Sequence, residues 1–186
     1  AGPVATSSLE GADMSGLILT LGSYDERLLL ALVMRRRRVG DVLMRAITRL
    51  ADPPMAVALT LALALGPAAG LRPAGVVAAF ALTVSHLAVQ VLKRSVVRPR
   101  PALPVGLSFL IEPQDRFSFP SGHAAAGLSV AMPLFLTFTG PWAWAVLGAG
   151  LLVGLSRCYL GVHYPGDVLV GWTLAGLSVL AGGTLL

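Results

Sequence analysis

Three short segments carry the residue types that phosphoryl transfer requires. They are Lys93 to Pro101, Pro120 to His123, and Ser156 to Asp167. Together they offer fixed cations, a nucleophile, an acid and a carboxylate that can orient another side chain. We therefore begin with what each segment could do at a phosphorus atom.

Three cations in these segments are suited to binding phosphate. Phosphoryl transfer spreads negative charge over the phosphate oxygens, so catalysis depends on positioning and electrostatic stabilisation. The guanidinium groups of Arg100 and Arg157 match phosphate oxygens bidentately, whereas Lys93 acts as a flexible point charge. We predict that all three bind phosphate, with Arg98 as a candidate for an indirect contact.

The second segment has the sequence of a helix start. Ser121 is predicted to cap the helix, and the N-terminus of a helix offers free N–H groups and a positive dipole to an anion. Gly122 allows phosphate to approach the backbone closely. His123, one residue into the helix, is the predicted acid that protonates the leaving oxygen.

The third segment pairs a histidine with a carboxylate. Pro165 fits the first position of a helix, which places Asp167 in the first turn, four residues after His163. An aspartate that accepts a proton from one ring nitrogen leaves the other nitrogen free to attack phosphorus. We predict His163 as the nucleophile, through a phosphohistidine, and Asp167 as its supporting residue.

Metal catalysis is the main rival chemistry. Two histidines and an aspartate could ligate a metal, but three nearby cations would oppose a divalent ion, so we predict no metal and no cofactor. His86, about 10 Å deeper than Lys93 along a helix, is interpreted as a hydrogen-bonding group inside the bundle.

The composition indicates a membrane protein. Hydrophobic residues make up 55% of the 186 residues, charged residues 12%, and the mean hydropathy is +0.78. The net charge of +5 lacks the aromatic interleaving of a nucleic-acid surface, so anionic lipid is the expected partner rather than nucleic acid. Residues 1–13 are interpreted as a remnant of an expression tag or a disordered tail, and residues 14–186 as one domain. The single cysteine, Cys158, is expected to be structural.

The hydropathy pattern predicts an all-α polytopic transmembrane bundle with about five to six spans. A helix over residues 16–34 is expected at the membrane, and an amphipathic interfacial helix over residues 39–50. The arginines at residues 35–38 are expected among lipid headgroups. The later candidate spans cover residues 53–71, 73–92, 122–139, 141–160 and 165–186.

The order of the spans predicts that the three segments meet. The span over residues 73–92 ends at Lys93, and the next begins after Pro120, so both segments share one membrane face. The chain then crosses away and returns, which brings Arg157 and His163 back to that face. We therefore expect one site at one mouth of the bundle.

These segments, Lys-x6-Arg-Pro, Pro-Ser-Gly-His and Ser-Arg-x5-His-x3-Asp, resemble the signature of the type-2 phosphatidic acid phosphatase superfamily. The resemblance covers Lys93 to Asp167. It implies a metal-independent phosphatase in which His163 is the nucleophile, His123 the acid and Asp167 its support. The implied phosphate ligands are Lys93, Arg100, Ser121, Gly122, His123 and Arg157.

The resemblance also implies a lipid phosphate or diphosphate as substrate: undecaprenyl diphosphate, phosphatidate or phosphatidylglycerol phosphate. A lipid phosphotransferase would use the same residues, and a lipid transporter or flippase is the alternative of another class. The expected location is the bacterial cytoplasmic membrane. The arginines at residues 35–38 favour a cytoplasmic site by the positive-inside rule, whereas the resemblance favours an extracytoplasmic one, which we prefer. Oligomeric state is left open.

Overall fold

The computed structural model describes residue 22 and residues 24–185. Within these residues it consists of helices and connecting loops, the longest over residues 97–121, with one isolated bridge between Pro99 and Phe117. The predicted tag remnant at residues 1–13 lies outside the described residues. The helices are α1 (24–33), α2 (Arg38–Thr48), α3 (Pro53–Leu65), α4 (Arg72–Val96), α5 (Gly122–Thr137), α6 (Pro141–Tyr159) and α7 (Pro165–Leu185). Short 3₁₀ turns follow α2 and precede α4.

Prolines and a left-handed residue set several of these boundaries. Pro53, Pro141 and Pro165 each occupy the first position of a helix, where the missing N–H costs nothing. Val97 at φ 50° ends α4, one turn later than predicted, so that Lys93 lies in the last turn of that helix. Apart from that extension, α4, α5, α6 and α7 agree with the predicted spans to within two residues.

The helix α3 is shorter than predicted. It ends at Leu65 instead of continuing to residue 71, because Gly66 caps it in an extended conformation and Pro67 follows. Residues 69–71 form a separate 3₁₀ turn that leads into α4.

The helix α5 lies at the centre of the bundle and packs against α4, α6 and α7. Small residues allow the close approach: a Cβ atom added to Gly150 of α6 would lie 2.5 Å from Cβ of Ala131 and 3.0 Å from the carbonyl oxygen of Gly127. The hydroxyl groups of Ser85 on α4 and Ser129 on α5 are 3.0 Å apart, a buried bond between helices.

The predicted all-α membrane bundle is confirmed. Three helical segments are long and apolar enough to cross a bilayer by themselves: Ala69–Val96, Pro141–Tyr159 and Pro165–Leu185. The segment Arg38–Ala51 and α3 meet the same criterion together but are bent by 56° at Asp52. The apolar α5 has 16 residues, so the total of five to six spans stays a prediction.

The first described helix packs against the bundle on one side. Leu29 and Val33 of α1 are buried with Ala124, Cys158 and Val168. Cys158 is accordingly a core residue, as expected. Arg36, one of the arginines expected among lipid headgroups, also holds the fold together, because its side chain donates to the carbonyl oxygens of Tyr159 and Ser108 at 2.8 Å each. The headgroup location of residues 35–38 stays a prediction.

Candidate active site

The three polar segments meet at one cavity of about 380 Å³ at the end of the bundle where α4 ends and α5 begins. This convergence is the one predicted from the order of the spans. Most of the predicted site residues line the cavity: Lys93, Arg100, Gly122, His123, Arg157 and His163.

His163 is held by the backbone of the loop that precedes α5. It lies in the turn between α6 and α7, and its Nδ1 is 2.6 Å from the carbonyl oxygen of Ser118. A carbonyl only accepts, so Nδ1 carries the proton and the lone pair lies on Nε2. A terminal nitrogen of Arg100, at the cation cluster, donates to Nε2 over a long 3.4 Å.

The surroundings of His163 keep its imidazole neutral. The ring is 2% exposed. Burial lowers its pKa to about 4; the neighbouring Asp167 opposes this effect, while the charges of Arg157 and Arg100 add to it. A neutral imidazole with an unprotonated Nε2 is the form that can attack an electrophile.

Asp167 supports the site by a different route from the predicted one. Its carboxylate oxygen is 3.7 Å from Nδ1 of His163, longer than a hydrogen bond, because the Ser118 carbonyl already accepts that proton. The fully buried carboxylate instead accepts from Arg98 at 2.7 Å and from the backbone N–H of Tyr164 at 2.8 Å. It therefore places a negative charge beside the ring without bonding to it.

Arg98 joins the N-terminal part of the chain to this site. Its second terminal nitrogen donates to Asp25 at 2.8 Å, and its guanidinium lies 4.0 Å from the centre of the Tyr164 ring. Burial alone would lower the pKa of Arg98, but the carboxylates of Asp167 and Asp25 outweigh it and raise that pKa. Arg98 therefore links Asp25 to Asp167, the carboxylate beside His163, which is consistent with the indirect role suggested for it.

Lys93 and Arg100 share one carboxylate. The ammonium group of Lys93 is paired with Asp115, and Arg100 donates to the other oxygen of Asp115 at 2.9 Å and to its carbonyl at 2.8 Å. Burial by itself would raise the pKa of Asp115, but the hydrogen bond and charge of Lys93, with the charge of Arg100, hold it below its ordinary value. The ionised carboxylate of Asp115 is thus paired with Lys93 and Arg100, two of the predicted phosphate ligands.

Arg157 is a buried cation at the wall of the cavity. It is 2% exposed, and one terminal nitrogen donates to the hydroxyl of Thr48 at 2.9 Å. Its Nε is buried and has no hydrogen-bond partner among the described residues. The guanidinium therefore keeps unused hydrogen-bonding capacity and adds positive charge beside Lys93 and Arg100.

His123 and Ser121 occupy the first turn of α5. The side chain of Ser121 accepts from the N–H of Ala124 at 3.4 Å, which makes it the predicted N-cap. Ser121 is fully buried and not among the cavity-lining residues, so its direct contact with phosphate stays a prediction. The Nε2 of His123 lies 3.0 Å from the carboxylate of Asp52, at the bend between α2 and α3.

The sequence was compared with models of known protein families. The model of the PAP2 superfamily matches residues 74–183, more than half of the chain and all three polar segments. The chain belongs to the PAP2 superfamily. The type-2 phosphatidic acid phosphatase resemblance seen in the sequence is thereby confirmed.

Characterised PAP2 proteins are similar to this chain in sequence. An undecaprenyl-diphosphatase of Sulfolobus acidocaldarius is 36% identical over 106 residues, 55% of this chain and 50% of that protein. A decaprenylphosphoryl-5-phosphoribose phosphatase of Mycolicibacterium smegmatis is 42% identical over 88 residues, 47% of each chain. The chain thus spans about half the length of these curated relatives.

Two solved structures share the fold. LpxE of Aquifex aeolicus superposes with a TM-score of 0.74 at 24% identity, over 85% of this chain and 93% of that one. A transmembrane PAP2-type phosphatidylglycerolphosphate phosphatase from Bacillus subtilis gives 0.69 at 27% identity, over 89% and 85% of the two chains.

Three residues of the PAP2 site escaped the sequence analysis: Asp52, Asp115 and Ser118. Asp52 lies 41 positions before Lys93, outside the three polar segments, so their spacing gives it no role. Asp115 also lies outside these segments, and Ser118 contributes a carbonyl, which no residue type reveals. The one available signal was that Asp115 is among the few acidic residues in the loop between α4 and α5.

His86 is not where it was predicted. It lies on the exposed side of α4, not inside the bundle, and lines the cavity with Gln90. Within residues 22 and 24–185, no three His, Cys, Asp or Glu side chains come together as metal ligands; metal independence stays a prediction.

Proposed function

We propose that this PAP2 protein is an integral-membrane lipid phosphate phosphatase. The observation that carries the proposal is the neutral imidazole of His163, whose unprotonated Nε2 lies at a cavity lined by three cations. Arg157, with its unused hydrogen-bonding capacity, adds a donor for a phosphate oxygen. Two of the sequence relatives are named as a diphosphatase and a phosphatase, and the structural neighbour from Bacillus subtilis is named as a phosphatase, which is consistent with this chemistry.

The first step forms a covalent intermediate. Nε2 of His163 attacks phosphorus, a P–N bond forms, and the P–O bond to the lipid breaks. His123 gives a proton to the departing oxygen, so that the lipid leaves as a neutral alcohol or, from a diphosphate, as a monophosphate. Lys93, Arg100 and Arg157 stabilise the charge on the phosphate oxygens, once phosphate has displaced Asp115 from the first two.

The second step releases phosphate. Water attacks phosphorus of the phosphohistidine, gives up a proton to His123, and the P–N bond breaks to return neutral His163. The carbonyl of Ser118 holds the Nδ1 proton throughout, and the negative charge of Asp167 compensates the positive charge that the ring acquires while it is phosphorylated. No metal is needed in either step.

The cavity also fits a substrate with an apolar tail. Beyond the cations it is lined by apolar residues of α3 and α4, among them Ala56, Val57, Leu82 and Leu87. A lipid could therefore keep its chain between these helices while its phosphate reaches His163. Undecaprenyl diphosphate, phosphatidate and phosphatidylglycerol phosphate are the candidate substrates.

The test is phosphate release by the purified protein in excess EDTA, with each candidate lipid. Wild type should release phosphate, and His163→Ala should lose activity by at least about a thousandfold, as nucleophile removals do. Lys93→Gln and Arg94→Gln form a matched pair, because Arg94 is exposed on the neighbouring position of α4; only the former should reduce activity. When a reaction with a lipid radiolabelled in its phosphate is quenched with denaturant, the wild-type protein should retain acid-labile label and His163→Ala should retain none.

Two other functions give different results in this experiment. A phosphotransferase would deliver the label to an added alcohol instead of to water, with the same loss in His163→Ala. A transporter or flippase would release no phosphate from any lipid, and that result would contradict the proposal.

We place the site at the extracytoplasmic face of a bacterial cytoplasmic membrane. In this proposal the cations of the site bind phosphate, and Arg36 bonds to backbone carbonyls of the loop and of α6. We therefore do not count these cations when we apply the positive-inside rule. A cysteine introduced at Glu112 in a Cys158→Ser background should react with an impermeant maleimide in intact cells. Labelling only after the cells are opened would place the site in the cytoplasm.

A further inference from the structure

The cavity continues from the cation cluster along one side of α4. Lys93, Gln90, His86 and Leu82 line it at successive turns of that helix. Eleven residues separate Lys93 from Leu82, which corresponds to about 16 Å at 1.5 Å per residue. The cavity is therefore long enough to hold both a phosphate and the part of the lipid that follows it.

Two polar side chains interrupt the apolar wall of this cavity. His86 is exposed and Gln90 half-buried, and their side-chain nitrogens lie 3.3 Å apart. Among the described residues this is the one side-chain hydrogen bond recorded for either of them. The opposite wall of the cavity is formed by α3, which contributes the apolar residues Pro53, Ala56 and Val57.

A polar pair in the interior of a candidate span needs an explanation. Polar side chains at membrane depth are costly unless they have partners, and they tend to mark substrate paths. His86 lies about 15 Å from the end of α4 at Val96, so its ring is too short to reach the headgroup layer, unlike a lysine or an arginine. A histidine and an amide together can both donate and accept, and each has further hydrogen-bonding capacity left.

We propose that His86 and Gln90 bind a polar linker that joins the phosphate of the substrate to its tail. Gln90 lies about 4.5 Å and His86 about 10 Å from Lys93 along the axis of α4. The ester groups of a glycerolipid and the hydroxyls of a sugar joined to a prenyl chain both supply acceptors at such distances from a terminal phosphate. A prenyl monophosphate has only hydrocarbon there, and the second phosphate of a prenyl diphosphate lies directly beside the first.

This inference rests on the proposed phosphatase function and narrows its substrate class. The preferred substrate carries a hydrogen-bonding linker between phosphate and tail, and a plain prenyl phosphate is a poorer one. The pair acts in binding and does not contact the reacting atoms, so its effect falls on KM.

The experiment compares KM for substrates with different linkers, including one with none. Diacyl phosphatidate, its dialkyl ether analogue, a prenyl-linked sugar phosphate and a prenyl monophosphate of matched length are assayed in the same mixed micelles. His86→Leu and Gln90→Leu should each raise KM about fivefold for the linker substrate that wild type prefers, the loss expected for one hydrogen bond. Both variants should leave the prenyl monophosphate unchanged.

The matched control is Thr83→Val. Thr83 lines the same cavity, but its hydroxyl already donates to the carbonyl oxygen of Ala79 at 2.8 Å. Its removal should change none of the KM values. Comparison of diacyl phosphatidate with the prenyl-linked sugar phosphate identifies which linker is recognised. Comparison of phosphatidate with its ether analogue shows whether the ester carbonyls or only the shape of the linker matters.

The inference would be overturned if His86→Leu and Gln90→Leu altered KM equally for all four lipids, or for none of them. Failure of the proposed function looks different, because wild type would then release phosphate from no substrate. In that case the same lipids, scored by the thermal protection that they give to wild type and to the two variants, still test the linker site: equal protection overturns it.

Discussion

The carboxylate of Asp52 lies 3.0 Å from Nε2 of His123, although seventy-one positions separate the two residues in the sequence. Asp52 is held there by the 56° bend between α2 and α3. A carboxylate bonded to an imidazole fixes its tautomer and stabilises its protonated form, which is the form a general acid needs. Asp52 is therefore a positioning residue for His123.

Replacing Asp52 by Asn should slow the cleavage of lipid phosphates without removing the nucleophile. We expect kcat for a lipid alkyl phosphate to fall about 10- to 100-fold, part of the 10²- to 10⁴-fold that general acids contribute. An aryl phosphate, whose leaving group needs no proton, should be hydrolysed at nearly the wild-type rate. Asp41→Asn is the control, because Asp41 lies on α2 but pairs with the hydroxyl of Tyr159 outside the cavity. Equal losses on both esters would instead indicate a structural role for Asp52.

Asp115 occupies the cations that the mechanism assigns to phosphate. In Asp115→Asn these cations lose their counter-charge, so inorganic phosphate should inhibit more strongly, with Ki lower by about 5- to 10-fold. The difference should shrink at high salt. Glu112→Gln in the same loop serves as the control, since Glu112 forms no ion pair among the described residues. An unchanged Ki in Asp115→Asn would mean that phosphate does not displace this carboxylate.

Two glycines of α7 distinguish close packing at the site from helix propensity. A Cβ atom at Gly171 would lie 2.6 Å from the carbonyl oxygen of Ser121, whereas one at Gly176 would meet nothing within 4 Å. Gly171→Ala should therefore push the start of α5 away and lower the activity. Its free energy of unfolding should fall by about 1–3 kcal/mol, the cost of overpacking. Gly176→Ala should be neutral or slightly stabilising. Equal behaviour of the two variants in activity and unfolding assays would refute this account of the α5–α7 contact.

The neutral state of His163 makes stability depend on pH. Its pKa is about 4 in the folded protein against 6.5 for an ordinary histidine. Between these values the unfolded chain binds a proton that the folded protein does not, so stability is fully present above pH 6.5 and falls as the pH drops towards 4. The total loss is about 3 kcal/mol, at about 1.4 kcal/mol per pH unit.

The effect is measured as unfolding in mixed micelles from pH 7.5 to 4, for wild type and for His163→Gln. The variant lacks the titrating ring, so the difference between the two curves isolates the contribution of His163. Parallel curves would show that His163 is not buried as a neutral group.

The helices and the meeting of the motifs could be predicted from the sequence for definite physical reasons. Pro53, Pro141 and Pro165 fix helix starts by removing an N–H that no helix start uses, and apolar runs of bilayer length reveal the bundle. Span order then fixes which ends share a face. Lys93, His123 and His163 could be placed in one site on this basis.

The remaining contacts depend on tertiary geometry that no spacing encodes. Asp52 reaches His123 through a bend, and Ser118 holds His163 through its backbone, so neither residue type suggested its role. The same limitation explains the error at His86: hydropathy identifies a span but does not say which side of α4 faces the cavity. Asp167 was placed correctly beside His163, but Ser118 takes the bond that it was expected to make.

The bend between α2 and α3 also connects the site to the surface of the bilayer. Thr48 bonds to Arg157 and Asp52 bonds to His123, and both lie at or just after the end of α2, a helix that exposes Val39 and Val42. A change in membrane thickness or surface charge that moves α2 would also move Arg157 and His123, which these residues brace. We therefore expect the turnover number to depend on the host membrane as well as on the protein.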